Sequence, residues 1–329
     1  MTGAAGFIGY HVARALVDKG YDVVGIDNIN EYYDINLKQR RLEQLLELPQ
    51  FRFQKLDLAD PIRMETLFSE EEFDLVVHLA AQAGVRHSIE NPMSYVDSNL
   101  IGHMNILEGA RRTNVHHLVY ASSSSVYGLN TKIPFSTNDS VDHPISLYAA
   151  TKKANELMSH TYSHLYGLPT SGLRFFTVYG PWGRPDMAPI KFAKLICEGK
   201  PIDVYNNGNL SRDFTYIEDI VEGVVRVLDI VPSENKRWTP EVGRAGESSA
   251  PYRLYNIGRG HPINLMDFIA ELEKSFEVDA KKNFLEMQPG DVYSTWADTV
   301  DLFKETGYQP RVDLEEGVAR FTEWFKRYY

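Results

Sequence analysis

The chain has 329 residues, and its 43% hydrophobic and 24% charged residues are typical of a folded globular protein, which excludes a disordered one. Its 45 acidic and 34 basic side chains give a formal net charge of −11, which argues against nucleic acid as the main partner. No run of about 18 apolar residues occurs, so we expect no membrane-spanning helix and no membrane partner.

The first residues show no basic stretch followed by an apolar one, so the sequence predicts no secretory signal. The chain has one cysteine, Cys197, which cannot form a disulfide within the chain. We therefore expect a cytoplasmic protein, and we expect Cys197 to be buried in a helix rather than reactive.

Short apolar runs alternate with helical patterns through the first half of the chain. Strands are predicted at 21–27, 51–56, 75–79, 118–121 and 170–174. Helices are predicted at 7–19, 36–46, 61–68, 92–112 and 146–166. Repeated strand–helix units of this size predict an α/β fold, a doubly wound parallel sheet of the Rossmann type covered on both faces.

The second half of the chain is less regular and predicts a smaller mixed α/β lobe. Helical patterns recur at 188–198, 218–229, 265–275 and 314–326, with short strands at 203–205 and 253–257. We expect a dinucleotide-binding domain over 1–175 and a substrate lobe over 176–329. Segments near 211–231 and 253–260 are expected to return to the first domain, and 231–251 to form a solvated loop.

A glycine motif opens the first helical pattern, with Gly3, Gly6 and Gly9 in a G-x-x-G-x-x-G run. Such glycines let the backbone approach a pyrophosphate, which the helix N-terminus then binds. Asp27 ends the next strand, 18 positions beyond Gly9, where its carboxylate would accept ribose hydroxyls and repel a 2′-phosphate. The motif therefore favours NAD over NADP. Only Met1 and Thr2 precede it, so we expect the first strand to be truncated.

A tyrosine and a lysine, Tyr148 and Lys152, lie four residues apart on one predicted helix face. Alone, this spacing arises often by chance. Here a run of hydroxyls from Ser122 to Ser125 ends a strand at the edge of the sheet where ligands bind in such folds. A nearby ammonium would lower the pKa of the phenol and let Tyr148 act as a base.

These motifs together resemble the extended short-chain dehydrogenase/reductases that act on nucleotide sugars, over nearly the whole chain. The resemblance implies a catalytic triad of Ser123, Tyr148 and Lys152. It implies cofactor contacts from Gly3, Gly6, Phe7, Ile8, Gly9, Asp27, Asn28, Asp57, Leu58, Leu79, Ala80, Ala81, Asn99, Tyr148, Lys152 and Phe175. It implies substrate contacts from Ser124, Ser125, Thr177, Arg184, Tyr205, Arg212 and Asp291. The bound cofactor would be NAD and the substrate a UDP-sugar.

Within that family, the residues around the catalytic serine discriminate between reactions. Ser124 and Ser125 stand where the dehydratases and decarboxylases carry acids, so elimination is disfavoured. Thr177 replaces the asparagine of galactose 4-epimerases, and the segment from Pro181 to Met187 resembles the UDP-glucuronate 4-epimerases. Arg184 could bind the C6 carboxylate in bidentate fashion, although by itself it could equally form a surface salt bridge.

We therefore expect C4 epimerisation of UDP-glucuronate to UDP-galacturonate through a 4-keto sugar. UDP-glucose/UDP-galactose 4-epimerisation, UDP-glucuronate decarboxylation and a non-catalytic dinucleotide sensor remain alternatives. The resemblance also implies a homodimer through the helices at 92–112 and 146–166, the second of which carries a long apolar stripe. His160 and His164 share a helix face but lack a third ligand, so we expect no metal site.

Overall fold

The computed structural model describes residues 1–288 and 292–329, and its first half alternates strands with helices as the sequence predicts. The strands are β1 (Val23–Asp27), β2 (Phe51–Lys55), β3 (Leu75–His78), β4 (His117–Ser123) and β5 (Thr170–Phe175). The helices are α1 (Phe7–Asp18), α2 (Ile35–Leu46), α3 (Pro61–Glu71), α4 (His87–Glu90), α5 (Pro92–Tyr95), α6 (Gly102–Arg112) and α7 (Leu147–Tyr166). No helix within the described ranges is long and apolar enough to cross a bilayer.

In its described residues, the second half contributes shorter strands and five helices of seven or more residues. Its strands are β6 (Thr177–Tyr179), β7 (Ile202–Val204), β8 (Ser211–Arg212), β9 (Phe214–Tyr216), β10 (Tyr252–Ile257), β11 (Ile263–Asn264) and β12 (Lys282–Phe284). Its helices are α8 (Ala188–Cys197), α9 (Ile217–Leu228), α10 (Leu265–Phe276), α11 (Val300–Thr306) and α12 (Leu314–Tyr328). Apart from β10, these strands form two-stranded sheets, in which β6 pairs with β9, β7 with β12 and β8 with β11.

One parallel sheet runs through the molecule in the order β2, β1, β3, β4, β5, β10. Thr2 lies between β1 and β3, because its backbone bridges Ile26 on one side and His78 on the other. Its N–H donates to Val77 at 2.9 Å, and the N–H of Gly3 donates to Ile26 at 2.8 Å. The predicted doubly wound parallel sheet is confirmed, and a single bridging residue leads directly into the glycine loop.

Two segments of the second half contact the main sheet. β10 pairs with β5 along its whole length, and α9 packs on α1 and on the end of β4. The segment 230–250 between them has no helix or strand, and most of its residues are exposed or half-buried. These contacts support the two-lobe division at residue 175 with returning segments, which remains a prediction.

Helix α7 places the tyrosine and lysine of the predicted site. Its first turn is capped by Ser146, whose hydroxyl accepts the N–H of Ala149 at 3.1 Å. It ends at Gly167, which adopts φ +67° and closes the last turn. Because the Ser146 cap starts the helix at Leu147, Tyr148 lies in its first turn. Its side chain lies beside the carboxyl end of β4.

The helix predicted at 92–112 is confirmed, and it contains a π-helical turn at Val96–Ile101 from which Asn99 hydrogen-bonds the backbone of Gln82. One prediction about a helix is wrong. Cys197 is exposed and not buried. It is the last residue of α8, and the helix buries the adjacent face through Ala193 and Ile196.

Candidate active site

A cleft of about 390 Å³ opens at the carboxyl ends of β1, β3, β4 and β5. Ligands bind at this edge in parallel α/β sheets, and a cleft of this size is large enough for a small-molecule ligand. Most predicted site residues line it: Gly3, Gly6, Phe7, Ile8, Gly9, Asp27, Asn28, Asp57, Leu58, Leu79, Ala80, Ala81, Ser123, Ser124, Ser125, Tyr148, Lys152, Phe175, Thr177 and Arg184.

The glycine loop leaves no room for side chains. Gly3 has φ +71°, and a Cβ there would lie 2.8 Å from the backbone nitrogen of Ala80. A Cβ on Gly9 would lie 1.9 Å from the carbonyl oxygen of Gly3. Gly6 is the N-cap of α1, and no side chain caps this helix end within the described residues. The first-turn N–H groups therefore remain available, and the loop fits the pyrophosphate of a dinucleotide.

Asp27 ends β1 with its carboxylate at the cleft. It accepts the N–H groups of Ala5 at 3.2 Å and Ile29 at 2.9 Å, which fixes both oxygens. Burial raises the pKa of Asp27, and the Ile29 hydrogen bond opposes that shift. Each oxygen keeps a lone pair for a ribose hydroxyl. Beside it, Asn28 donates to Asp57 at 2.9 Å, which joins the ends of β1 and β2.

Several cleft residues were missed by the sequence analysis. Lys38 is 5% exposed and donates to the backbone and side-chain oxygens of Asn30 at 2.6 and 2.7 Å, while lying 4.4 Å from the ring centre of Tyr33. Burial lowers the pKa of Lys38 to about 8. Residues 82–85, which follow the predicted Ala81, also line the cleft. The rule that ligands bind at strand ends would have predicted residues 82–85 if it had been extended along the loop after β3.

The three predicted catalytic residues lie together. β4 ends at Ser123, whose hydroxyl accepts the N–H of Ser125 at 3.1 Å and lies close enough to the phenol of Tyr148 to lower its pKa. The Lys152 ammonium donates to the carbonyl of Ala121 at 2.8 Å and is 2% exposed. A serine hydroxyl, a phenol and an ammonium therefore meet at the edge of the sheet, as proton transfer to and from a sugar hydroxyl requires.

In the protein without a cofactor the pKa of Tyr148 is raised, so stabilisation of the phenolate by Lys152 together with a positive nicotinamide ring remains a prediction. Burial raises the pKa of Tyr148, and the hydrogen bond from Ser123 and the charge of Arg184 oppose this only in part. Burial also lowers the pKa of Lys152 to about 8, against the charge of Glu156. The phenol is therefore neutral in the protein alone, because desolvation outweighs the neighbouring positive charges.

Asn99 lies behind the cleft and does not line it. Its side-chain oxygen accepts the N–H of Gln82 at 2.8 Å, and its amide donates to the Gln82 carbonyl at 3.0 Å and to Thr151 at 3.0 Å. Asn99 thus holds the loop that follows β3 against α7. This arrangement supports a role in shaping the cofactor site, whereas direct contact with the cofactor remains a prediction.

Arg184 reaches the cleft from the loop after β6. Its guanidinium binds Asp186, with Nε 3.1 Å from Oδ1 and Nη2 2.5 Å from Oδ2. The hydroxyl of Tyr32 donates to the same carboxylate at 3.2 Å. Arg184 lies close enough to Tyr148 for its charge to act on the phenol. Because Arg184 lines the cleft, its position favours a role in the site over a surface salt bridge.

Two predicted substrate residues within the described ranges do not line the cleft. Tyr205 stacks under Arg86, 5.2 Å from the guanidinium carbon to the ring centre, and Arg212 donates to the carbonyl of Ser211 at 2.9 Å. Both lie on the second lobe, and their contact with the nucleotide remains a prediction. Asp291 lies outside the described residues.

A buried ion pair lies directly beneath the site. Glu156 accepts two bonds from Arg174, at 2.8 and 2.9 Å, and a third from the hydroxyl of Ser122 at 2.6 Å. Glu156 is one helical turn beyond Lys152, and its charge raises the pKa of that lysine. Burial would raise the pKa of Glu156 itself, but Arg174 outweighs it and holds that pKa below the ordinary value. The pair joins β4, β5 and α7 below the catalytic residues.

Comparisons with known proteins agree with this geometry. The model of the "NAD dependent epimerase/dehydratase family" matches residues 1–243. A "Probable UDP-glucuronate 4-epimerase" of Rhizobium meliloti (strain 1021) is 50% identical, covering 100% of this chain and 97% of that protein. A Bacillus cereus UDP-glucuronic acid 4-epimerase, solved with UDP-glucuronic acid and NAD, has a TM-score of 0.86 at 34% identity, covering 100% and 98% of the two chains. A Thermotoga maritima UDP-glucose 4-epimerase with UDP-glucose has a TM-score of 0.85 at 26% identity, covering 99% and 97%.

Proposed function

The chain belongs to the NAD dependent epimerase/dehydratase family, and we propose that it converts UDP-glucuronate to UDP-galacturonate by NAD-dependent epimerisation at C4. The resemblance carried by the sequence motifs is thereby confirmed. The observation that carries the choice of a uronate is Arg184, a cation at the cleft whose charge reaches Tyr148.

The residues at the first half of the cleft fit NAD. Gly3, Gly6 and Gly9 would hold the pyrophosphate at the amino end of α1, and Asp27 would accept the adenosine ribose hydroxyls. NAD held there would supply a hydride acceptor for C4 and then a hydride donor, so that turnover would need no external oxidant. Because such a cycle regenerates NAD, we expect the cofactor to stay bound between turnovers.

Tyr148 is the proposed base that takes the proton of the C4 hydroxyl and later returns it. Ser123 lies beside the phenol and would align the sugar hydroxyl with it. Because the pKa of Tyr148 is raised even with Lys152 in place, the phenolate needs the added positive charge that an oxidised nicotinamide ring would supply. The reactive phenolate would therefore form only in the loaded enzyme.

The positive charge of Arg184 favours a uronate as the substrate. A carboxylate that enters a partly desolvated cleft needs a fixed positive partner, and a guanidinium offers two parallel donors to it. Arg184 provides that partner, and the hydroxyls of Ser124, Ser125 and Thr177 line the same cleft as further donors. A neutral hydroxymethyl group would gain little from the charge.

Product analysis tests the proposal. Purified protein is incubated with UDP-glucuronate, and in parallel with UDP-glucose, and the nucleotide sugars are separated by chromatography. We expect UDP-galacturonate to form without added NAD. Faster formation of UDP-galactose from UDP-glucose would favour a hexose epimerase. A UDP-pentose as main product would favour a decarboxylase, and bound NAD without turnover would favour a sensor.

We also propose a cytoplasmic homodimer. The face that α7 buries is polar or small: Ala149, Thr151, Lys152, Asn155, Glu156, Ser159 and Ser163. Leu157 is 57% and Leu165 62% exposed, whereas Met158 and Tyr162 pack partly against the core. Met104 of α6, which the Tyr162 hydroxyl contacts, is 37% exposed. An exposed apolar face of this kind supports a second copy as its partner. The free thiol of Cys197 suits a reducing compartment.

A further inference from the structure

Arg184 is held by one edge of its guanidinium only. The fork onto Asp186 uses Nε and Nη2, which is the side edge, and leaves Nη1 outside the ion pair. Arg184 lines the cleft, whereas Asp186 does not. The ion pair therefore leaves Nη1 for a ligand that enters from the cleft.

Asp186 is itself fixed from two directions. The hydroxyl of Tyr32 donates to its Oδ2 at 3.2 Å, across 154 positions of sequence. The N–H of Met187 donates to the carbonyl of Arg184 at 3.2 Å, so the two charged residues lie in one tight turn. Burial would raise the pKa of Asp186, but the charge of Arg184 outweighs it and keeps the carboxylate ionised.

These contacts decide between two roles for Asp186. If it merely filled the place of a substrate carboxylate, binding would have to displace it and leave two anions close together near a single cation. The turn and the Tyr32 hydroxyl hold it in place, and it occupies only Nε and Nη2 of Arg184. A second carboxylate can bind at the other edge without displacing the first, because guanidinium carries five donors in a fixed plane.

We propose that Asp186 is a positioning residue that locks Arg184 and so protects the 4-keto uronate from decarboxylation. This inference rests on the proposed function. Once C4 is a ketone, the C5–C6 bond can break: its electron pair forms the C4–C5 enolate, C6 leaves as CO₂, and C5 then takes a proton to give a 4-keto pentose. The bond breaks only when it stands roughly perpendicular to the carbonyl plane. A guanidinium fixed by Asp186 holds the carboxylate away from that angle.

The test compares Asp186→Asn and Tyr32→Phe with wild type on UDP-glucuronate and UDP-glucose. Asp186→Asn keeps the size of the side chain and removes its charge. We expect kcat/KM for UDP-glucuronate to fall roughly 10- to 100-fold, the scale of about 1 Å of misplacement. The fraction of turnovers that end in a pentose should rise, with UDP-glucose activity unchanged. Tyr32→Phe should shift both readouts in the same direction by less. Asp18→Asn, at an exposed end of α1, is the matched control.

The outcomes separate this inference from the proposed function. A wild-type enzyme that does not interconvert the two uronates would overturn both. If wild type interconverts them and Asp186→Asn gives the same pentose fraction, the positioning role is wrong. A rise in kcat/KM for UDP-glucuronate in Asp186→Asn would also overturn it, since that result marks Asp186 as a competitor of the substrate.

Discussion

Glu156 of α7 and Arg174 of β5 form a two-pronged ion pair that is almost fully sealed from solvent, with side chains 1% and 2% exposed. The pair lies under the catalytic strand end, because Glu156 also accepts the hydroxyl of Ser122 at 2.6 Å. Removing one partner of such a pair leaves an uncompensated buried charge. Replacement of either residue should therefore destabilise the structure beneath the site.

Arg174→Met should destabilise the fold by about 3–5 kcal/mol, because the buried Glu156 keeps only the longer ion-pair contact with Lys153, at 3.6 Å. Arg327→Met, which breaks an exposed pair with Glu323, should cost about 0.3–0.5 kcal/mol. Urea unfolding at neutral pH gives both values. Since the Glu156 pKa is held below its ordinary value, this stabilisation is complete above about pH 4.3 and is lost as pH falls through the folded-state pKa. Equal costs for the two variants would contradict the account.

Tyr148→Phe should remove the base and keep the ring. We expect turnover to fall by at least ~10²-fold, the usual scale for loss of a general base, with little change in sugar-nucleotide affinity. Calorimetric titration with UDP-glucuronate and a turnover assay on the same preparation measure the two quantities. Near-normal turnover in this variant would rule out Tyr148 as the base.

NAD should copurify with the protein and be released by heat into the supernatant, where chromatography identifies it. Gly9→Ala should abolish this, because its Cβ would lie 1.9 Å from the carbonyl oxygen of Gly3. Gly167→Ala provides the control, since it adds a methyl group at φ +67° with nothing within 4 Å. That variant should retain NAD. Full NAD content in Gly9→Ala would show that the glycine loop does not hold the cofactor.

Leu157→Glu should convert a dimer to a monomer, because it places a charge at the centre of the exposed face of α7. Ile62→Glu, on α3 and 76% exposed, should leave the oligomeric state unchanged. Light scattering at micromolar concentration distinguishes the two states. A wild-type monomer under these conditions would refute the homodimer.

The sequence could predict features that depend on local spacing. The glycine loop, Asp27 and the pair of Tyr148 and Lys152 are each set by the period of a strand or helix, and the structure brings them to one cleft. The contact of Tyr32 with Asp186 could not be predicted, because it joins segments 154 residues apart.

The sequence pattern of α7 could not show which of its faces is buried. In the structure its buried face is largely polar, because Lys152 and Glu156 have partners there. Hydrophobic periodicity by itself cannot tell a core face from an interface face. Likewise, the raised pKa of Tyr148 follows from desolvation at the cleft, which the sequence does not reveal.

The central claim is that Arg184 selects a uronate. The most direct test is the ratio of kcat/KM for UDP-glucuronate to that for UDP-glucose, measured for wild type and Arg184→Ala. Truncating one partner of a buried charge pair costs about 2–5 kcal/mol, so the uronate value should fall roughly 30- to several-thousand-fold. The hexose value should change little, and pentose should appear among the uronate products. An equal loss on both substrates with no pentose would contradict the account and make the hexose epimerase the better assignment.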